Sequence, residues 1–421
     1  MNDSLYDTSW VLYSIPSLTT SLHSLLSAPP STSLSPRSRS SILDKHAADF
    51  QNSLVDRDRP RYEDEEEREK LGALRAVSWT RFAPASPDAT PPSRKQKRKR
   101  NDTTLDDSDI ALERGLLVSL VYDKRTYKFA VISAQRDGNP NKRARTSASS
   151  ASSTSSRMAN KPNNTAIVLA KASPTVLKVF QAYLSETFAI QDMHALKLPP
   201  TLLTSTLAKY ISSIHTVLSR TTSERQLPLD IKAILGMLRL SVSFSAPIAP
   251  SLKMLDVEVP SESVLVAFRN LEAEQDSQDS GRQTQVRVAG DTTTQGILEV
   301  LSKWIHERTG LKLPLAQNEK SNPTATEPTN NTNPETTTSA TQPPLEPPMR
   351  ISRILCAAYA ISSEGRLKFS LKAAQTCDND PSRGDSENTA PDGSSNVVRK
   401  ANEALLAAAL CEANRQLMED S

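Results

Sequence analysis

The sequence predicts an α+β fold, a mainly antiparallel β-sheet with packed helices, interrupted by long disordered insertions. Two stretches, "ERGLLVSLVYDKRTYKFAVIS" (113–133) and "ISRILCAAYAISSEGRLKFSLKA" (351–373), each read as two β-rich runs about a short turn. Between and after them, apolar residues recur at helical spacing instead. Elsewhere, Ser-, Thr- and Pro-rich segments carry too little apolar surface to offset the entropy of ordering them. Strand pairs with interspersed helices give α+β.

The first element is a strand. In "SWVLYSIPSL" (9–18), Trp10, Leu12 and Ser14 alternate with Val11, Tyr13 and Ile15, and β-branched and aromatic residues suit a pleated, half-buried surface. The first Lys or Arg is Arg37, so the basic leader of a signal peptide is missing and the stretch reads as mature sequence. Residues 1–27 are therefore expected to supply a core strand and a following turn or helix. The hairpin of residues 113–135 turns about Asp123 to Thr126, Asp being a favoured turn opener.

A central core spans residues 164–271. "TAIVLAKA" (165–172) is a strand leading into Ser173-Pro174, an N-cap followed by Pro at the first helical position. Val176, Val179, Phe180, Tyr183, Leu184 and Phe188 then mark one amphipathic helix. After Pro199-Pro200, Leu203, Leu207, Tyr210, Ile211, Ile214 and Leu218 mark a second. Leu238, Leu240, Val242 and Phe244 alternate with Arg239, Ser241, Ser243 and Ser245, as in a strand with one buried and one wet face. "LKMLDVEVP" (252–260) is its antiparallel neighbour.

Ile297, Leu301, Trp304 and Ile305 place a helix in residues 292–315. The closing region, 349–421, is a hairpin turning at Glu364-Gly365, then a helix through Val398, Ala401, Leu405, Ala408 and Ala409. The insertions are 28–112, largely disordered with room for helices; 136–163, Ser-rich; 272–291, a polar loop; and 316–348, Thr- and Pro-rich. Patterned sequence resumes after each, leaving roughly 250 residues, enough for one sizeable core or two small intimate lobes within one composite domain.

Hydrophobic residues make up 37% of the 421 and aromatics 5%, so much of the chain is not core. Cys356, Cys377 and Cys411 are widely spaced with no C-x-x-C, which points to a reduced intracellular compartment. No apolar stretch approaches the ~20 residues that span a bilayer, so no membrane partner is expected. Phosphate-cradling glycine motifs, G-x-S-x-G, H-E-x-x-H and Cys/His ligand spacings do not occur. His306 has no second His four residues on, and His194 and His215 have no Cys or carboxylate pattern beside them. Cys356 and Cys411, among Ala and Leu, read as small buried hydrophobes. The expectation is a protein without catalytic residues, metal, cofactor or small-molecule substrate.

Charge is unevenly spread about a net +3. "YEDEEEREK" (62–70) reads as a solvated acidic helix end or loop. "RKQKRKR" places Arg94, Lys95, Lys97, Arg98, Lys99 and Arg100 in a Pro-flanked insertion where nothing structural requires six cations. Nuclear import is the sharper reading, a nucleic-acid tether the second, and a solubilising cluster the third.

"SWVLYSIPSL" resembles the start of the centromere protein L family, the L subunit of the inner kinetochore network. Trp10, Leu12, Tyr13 and Leu18 carry the likeness, although Pro16 stands one residue early, with Ser17 where the family has proline. "NNTAIVLAKASPTVLKVFQAYLSETFAI" (163–190) looks like the family's central strand and helix, and 351–373 like its closing hairpin. The order of the three along the chain suggests a fungal-type member with expanded loops. The resemblance implies a non-enzymatic nuclear protein of the centromere and kinetochore that forms a heterodimer with centromere protein N. With other inner-kinetochore subunits, the pair would help link centromeric nucleosomes and their DNA, contacted through the complex, to the kinetochore during chromosome segregation. A generic nuclear adaptor and a nucleic-acid-processing protein are the alternatives. A non-enzymatic protein acts by presenting a surface, and Leu367, Phe369 and Leu371 make a compact apolar face for a partner. The same three residues also suit packing beneath the final helix through Leu405 and Ala409.

Overall fold

The computed structural model describes residues 3–27, 36–57, 69–82, 112–134, 165–222, 225–244, 252–266, 289–311, 349–378 and 393–419. The chain divides into two units: unit 1 comprises Met1–Leu198, Glu364–Leu371 and Arg399–Ser421, and unit 2 comprises Pro199–Ser363 and Lys372–Val398.

In unit 1 the strands are β1 (Ser9–Ile15), β2 (Leu74–Phe82), β3 (Leu112–Tyr122), β4 (Thr126–Ala134), β5 (Ala166–Lys171) and, from late in the chain, β11 (Arg366–Phe369). They lie in the order β2-β3-β4-β5-β1-β11, antiparallel throughout, and the two-residue β6 (His194–Ala195) also pairs with β1. Ala166, Ile167, Val168 and Leu169 of β5 are all fully buried, because both faces of the sheet are covered here. Helices α1 (Thr20–Ser27), α2 (Pro36–Arg57) and α3 (Pro174–Phe188) share one core with the sheet. There Phe180 of α3 stacks on Phe129 of β4 at 4.0 Å, and Phe50 of α2 meets Phe180 edge-on at 5.6 Å. Ser173 caps α3 by accepting from the Val176 N–H, and Pro174 opens the helix.

Helix α2 and strand β2 lie inside the 28–112 stretch, which the sequence presents as a largely disordered insertion. The physical reason is that few residues hold them: Phe50 and Leu54 of α2, and Trp79 and Phe82 of β2, are buried, while charged neighbours face solvent. Gly115 on β3 leaves room for the Phe82 ring, where a Cβ would sit 2.2 Å from Cζ.

Unit 2 contains β7 (Met237–Phe244), β8 (Met254–Pro260), β9 (Met349–Leu355) and β10 (Tyr359–Ser362), in the order β10-β9-β7-β8 and again antiparallel. Its helices are α4 (Pro200–Thr221), α5 (Leu227–Leu235), α6 (Ala289–Thr309) and α7 (Lys372–Asp378). The six periodic apolar residues of α4 are buried, and α4 packs on β9 and α6. Tyr210 of α4 lies 4.5 Å from the Tyr359 ring.

The closing region differs from the single hairpin expected. It holds three strands rather than two: β9 and β10 pair about Cys356 to Ala358, and β11, which follows the expected turn at Glu364-Gly365, also pairs with β1. Helix α6 begins at Ala289, inside the stretch expected as a polar loop. The last helix, α8 (Ser394–Glu419), belongs to unit 1 from Arg399 onward. There Thr165 Oγ1 donates to Asn414 Oδ1, and Gln416 Nε2 donates to the Lys197 carbonyl at 2.6 Å.

Candidate interaction surfaces

The opening stretch is apolar because β1 is a central strand. Val11 to Ile15 pair with β5, Ser9 to Val11 with β11, and Tyr13 and Ser14 with β6. Trp10 is 1% exposed and its indole N–H donates to the Leu5 carbonyl at 2.9 Å, so the buried polar end of the ring is satisfied. Leu12 and Leu18 are buried, and Tyr13 is half-buried, with burial raising its hydroxyl above the ordinary tyrosine range.

Leu12 also fixes the chain around Gly365: its N–H donates to the Gly365 carbonyl at 2.8 Å, and its carbonyl accepts from the Leu196 N–H at 2.9 Å. Gly365 has φ +71°, and a Cβ there would lie 2.2 Å from the Leu196 carbonyl oxygen. Both the left-handed backbone and the close approach require glycine. The Gly in "SSEGRL" therefore positions β11 as well as a turn.

Within β11, Leu367 stands opposite Trp10 in register. Leu367, Phe369 and the following Leu371 are 2%, 0% and 3% exposed, so all three side chains lie inside the fold. Phe369 lies 6.0 Å from the Tyr6 ring, and its carbonyl accepts from the Asp7 N–H at 2.8 Å. Arg399 of α8 completes this corner of unit 1, with its guanidinium 5.4 Å from the Tyr6 ring centroid and an ion pair to Asp3 at 2.5 Å. Burial pushes the Tyr6 hydroxyl up to about 12.

Arg94, Lys95, Lys97, Arg98, Lys99 and Arg100 lie outside the described residues, as does most of the acidic run 62–70. His194 and His306 are exposed, and His215 is half-buried. Burial pushes the Cys356 thiol up to about 12, which keeps it protonated and unreactive, while Cys411 is half-buried. Among the described residues, no group of three or more His, Cys, Asp or Glu is placed to hold a metal ion, and no helix is long and apolar enough to cross a membrane.

The exposed features lie elsewhere. Among the described residues, β2 and β8 are each hydrogen-bonded to a strand on one side only. The sheet of unit 2 also turns one face outward. Across β8, β7 and β9 its registers align Met254, Ser243 and Arg350; then Asp256, Ser241 and Arg353; then Glu258, Arg239 and Leu355. A bulge makes this possible, since Ser241 opposes Arg353 whereas Val242 opposes Ile351, leaving Ser352 as the extra residue. Arg350 and Arg353, three apart, would otherwise point to opposite faces. Sequence alternation exposed β7 but not this arginine pair, because nothing in "MRISRIL" announces the bulge.

No curated protein matches the chain. The family model for centromere protein L matches residues 4–414, from the 3-10 turn before β1 to the last turns of α8. With a match over nearly its whole length, the chain belongs to the centromere protein L family, a family of structural kinetochore subunits of the nuclear centromere rather than of enzymes.

Proposed function

We propose that this kinetochore subunit forms a heterodimer with centromere protein N, and that the pair helps link centromeric chromatin to the rest of the inner kinetochore during chromosome segregation. The family match over residues 4–414 is the observation that carries this reading. Its partners are protein subunits, and centromeric DNA is reached through the complex. An antiparallel sheet suits such a role, because an edge strand gains main-chain hydrogen bonds when a partner strand is added. β8, hydrogen-bonded on one side among the described residues, is such an edge. Leu367, Phe369 and Leu371 then serve the interface from within, by holding β11 against β1. Arg94, Lys95, Lys97, Arg98, Lys99 and Arg100 direct nuclear import in this reading, since six cations in seven residues match the composition of an import signal.

The test is purification of the tagged chain from chromatin. Centromere protein N is expected to come down in equal amount, and recovery of the chain from centromeres without it sinks the heterodimer. Alanine at the six cations is expected to leave a fluorescent fusion outside the nucleus. A fully nuclear fusion in cells lacking centromere protein N disproves the import assignment.

A further inference from the structure

We propose that the outward face of the unit 2 sheet, centred on Arg353, docks an acidic peptide segment of a partner protein. This inference concerns unit 2 alone and stands apart from the identity of the heterodimer partner.

The charges on this face are segregated by strand. β8 contributes Asp256 and Glu258, and both carboxylates are already engaged: Asp256 accepts from the Ser241 hydroxyl at 2.6 Å, and Glu258 pairs with Arg239. β9 contributes Arg350 and Arg353 and no carboxylate. Arg350 donates to the Ser243 hydroxyl at 3.4 Å and is engaged by a further contact, so Arg353 is the cation on which the site is built. Arg353 is exposed and has no hydrogen-bond or ion-pair partner among the described residues, although its guanidinium carries five donors in a planar fork suited to carboxylates. The cross-strand neighbours of this arginine are Ser241 and Ser362, small side chains that leave its fork accessible.

Apolar groups flank the basic strip. Met237 and Met254 are each 56% exposed at opposite ends of the β7–β8 pair, and Leu355 is half-buried two residues beyond Arg353. From Met237 to Ser243 the strand rises ~20 Å, the reach of a short extended peptide. Methionine adapts to varied partners, and arginine is enriched where few residues carry most of the binding energy. The complementary ligand has a carboxylate over Arg353, next to the already engaged Arg350, and apolar side chains at its ends. Nucleic acid fits less well. A continuous phosphate chain would run against Asp256 and Glu258, and among the described residues no aromatic side chain of β7, β8 or β9 lies on this face to offer a base a stacking surface.

Fluorescence anisotropy on the full-length chain tests the proposal, with a labelled synthetic peptide whose central glutamates are flanked by leucines. Binding is expected to weaken by ~10-fold or more in Arg353→Glu, a change of ~1.4 kcal/mol. Arg350→Glu should act in the same direction, and Met237→Ala should weaken binding less. Lys209→Glu, exposed on α4, makes the same change in net charge and is expected to bind normally. Arg353 is exposed, so its variant should keep the wild-type thermal midpoint. No binding by the wild-type chain, equal loss in Lys209→Glu, or unchanged binding in both arginine variants overturns the proposal. Tighter, Arg353-dependent binding of a DNA duplex that displaces the peptide overturns it in favour of a polyanion site.

Discussion

In unit 1, β5 buries Ala166, Ile167, Val168 and Leu169 in succession, whereas in unit 2, β7 buries Leu238, Leu240 and Val242 and turns Met237 and Arg239 to solvent. The first pattern belongs to a strand covered on both faces, the second to a sheet covered on one. The aromatic packing differs too. Trp79, Phe50, Phe129, Phe180, Tyr183 and Phe188 interlock in unit 1, where five of the six residues of β5 are buried and Lys171, at its end, is exposed. Unit 2 keeps a solvent face, where Arg239, Asp256, Glu258, Arg350 and Arg353 are exposed and Ser241 is buried among them. A strand's sequence thus reports how many of its faces are free to bind.

The largest effect is expected of Phe369→Glu. Truncating a buried Phe costs about 3–5 kcal/mol, and an unpaired buried carboxylate adds desolvation. Because the whole stability of a domain is about 5–15 kcal/mol, the variant is expected to lose cooperative folding, as read by thermal melting and soluble yield. A soluble, cooperatively folding chain that fails to bind centromere protein N would instead make Phe369 an interface residue. A variant that folds and binds normally would contradict its burial.

A smaller effect is expected at the edge of the unit 1 aromatic cluster. His46 of α2 stacks on Trp79 at 5.6 Å and lies 5.1 Å from Phe188. Tyr183 donates its hydroxyl proton to the His46 carbonyl at 3.3 Å, so His46 Nδ1, 3.1 Å from the same oxygen, is the donor of the second bond. Burial holds the His46 pKa below its ordinary value; Asp49 opposes the shift and Lys45 adds to it. The unfolded chain therefore takes up this proton at a higher pH than the folded one. The contribution to stability is complete above the unfolded histidine value of ~6.5 and declines as pH falls through and below it. Midpoints measured from neutral to mildly acidic pH should fall more steeply for the wild type than for His46→Gln. Parallel profiles would show that His46 titrates alike in both states.

The smallest effect belongs to unit 2. Arg239 and Glu258 pair across β7 and β8 with nearly half of each side chain exposed. A double-mutant cycle to alanine should return about 0.2–1 kcal/mol of coupling. A larger value would mean that this face is covered, and would count against its reading as a free surface.

Some of this was legible in the residues alone. Alternation in "SWVLYSI" and "LRLSVSF", the Ser173-Pro174 cap and the spacing along α3 and α4 are local, because side-chain period and capping depend on neighbours a few residues away. Those elements, the α+β class and the family likeness of Trp10, Leu12, Tyr13 and Leu18 required no coordinates. Long-range pairing could not be read in the same way. That β11 joins β1, setting Leu367 opposite Trp10, depends on residues more than three hundred positions apart and on the left-handed Gly365. That Phe50 and Trp79 order α2 and β2 depends on a surface supplied by β4 and α3, so the local composition of 28–112 undervalues them. The bulge that places Arg350 and Arg353 on one face exists only against β7. Periodicity settled what those local segments are and most of the residues they bury. The tertiary structure decided what each buried face meets and which faces remain open, because those depend on contacts the chain makes only after it has folded.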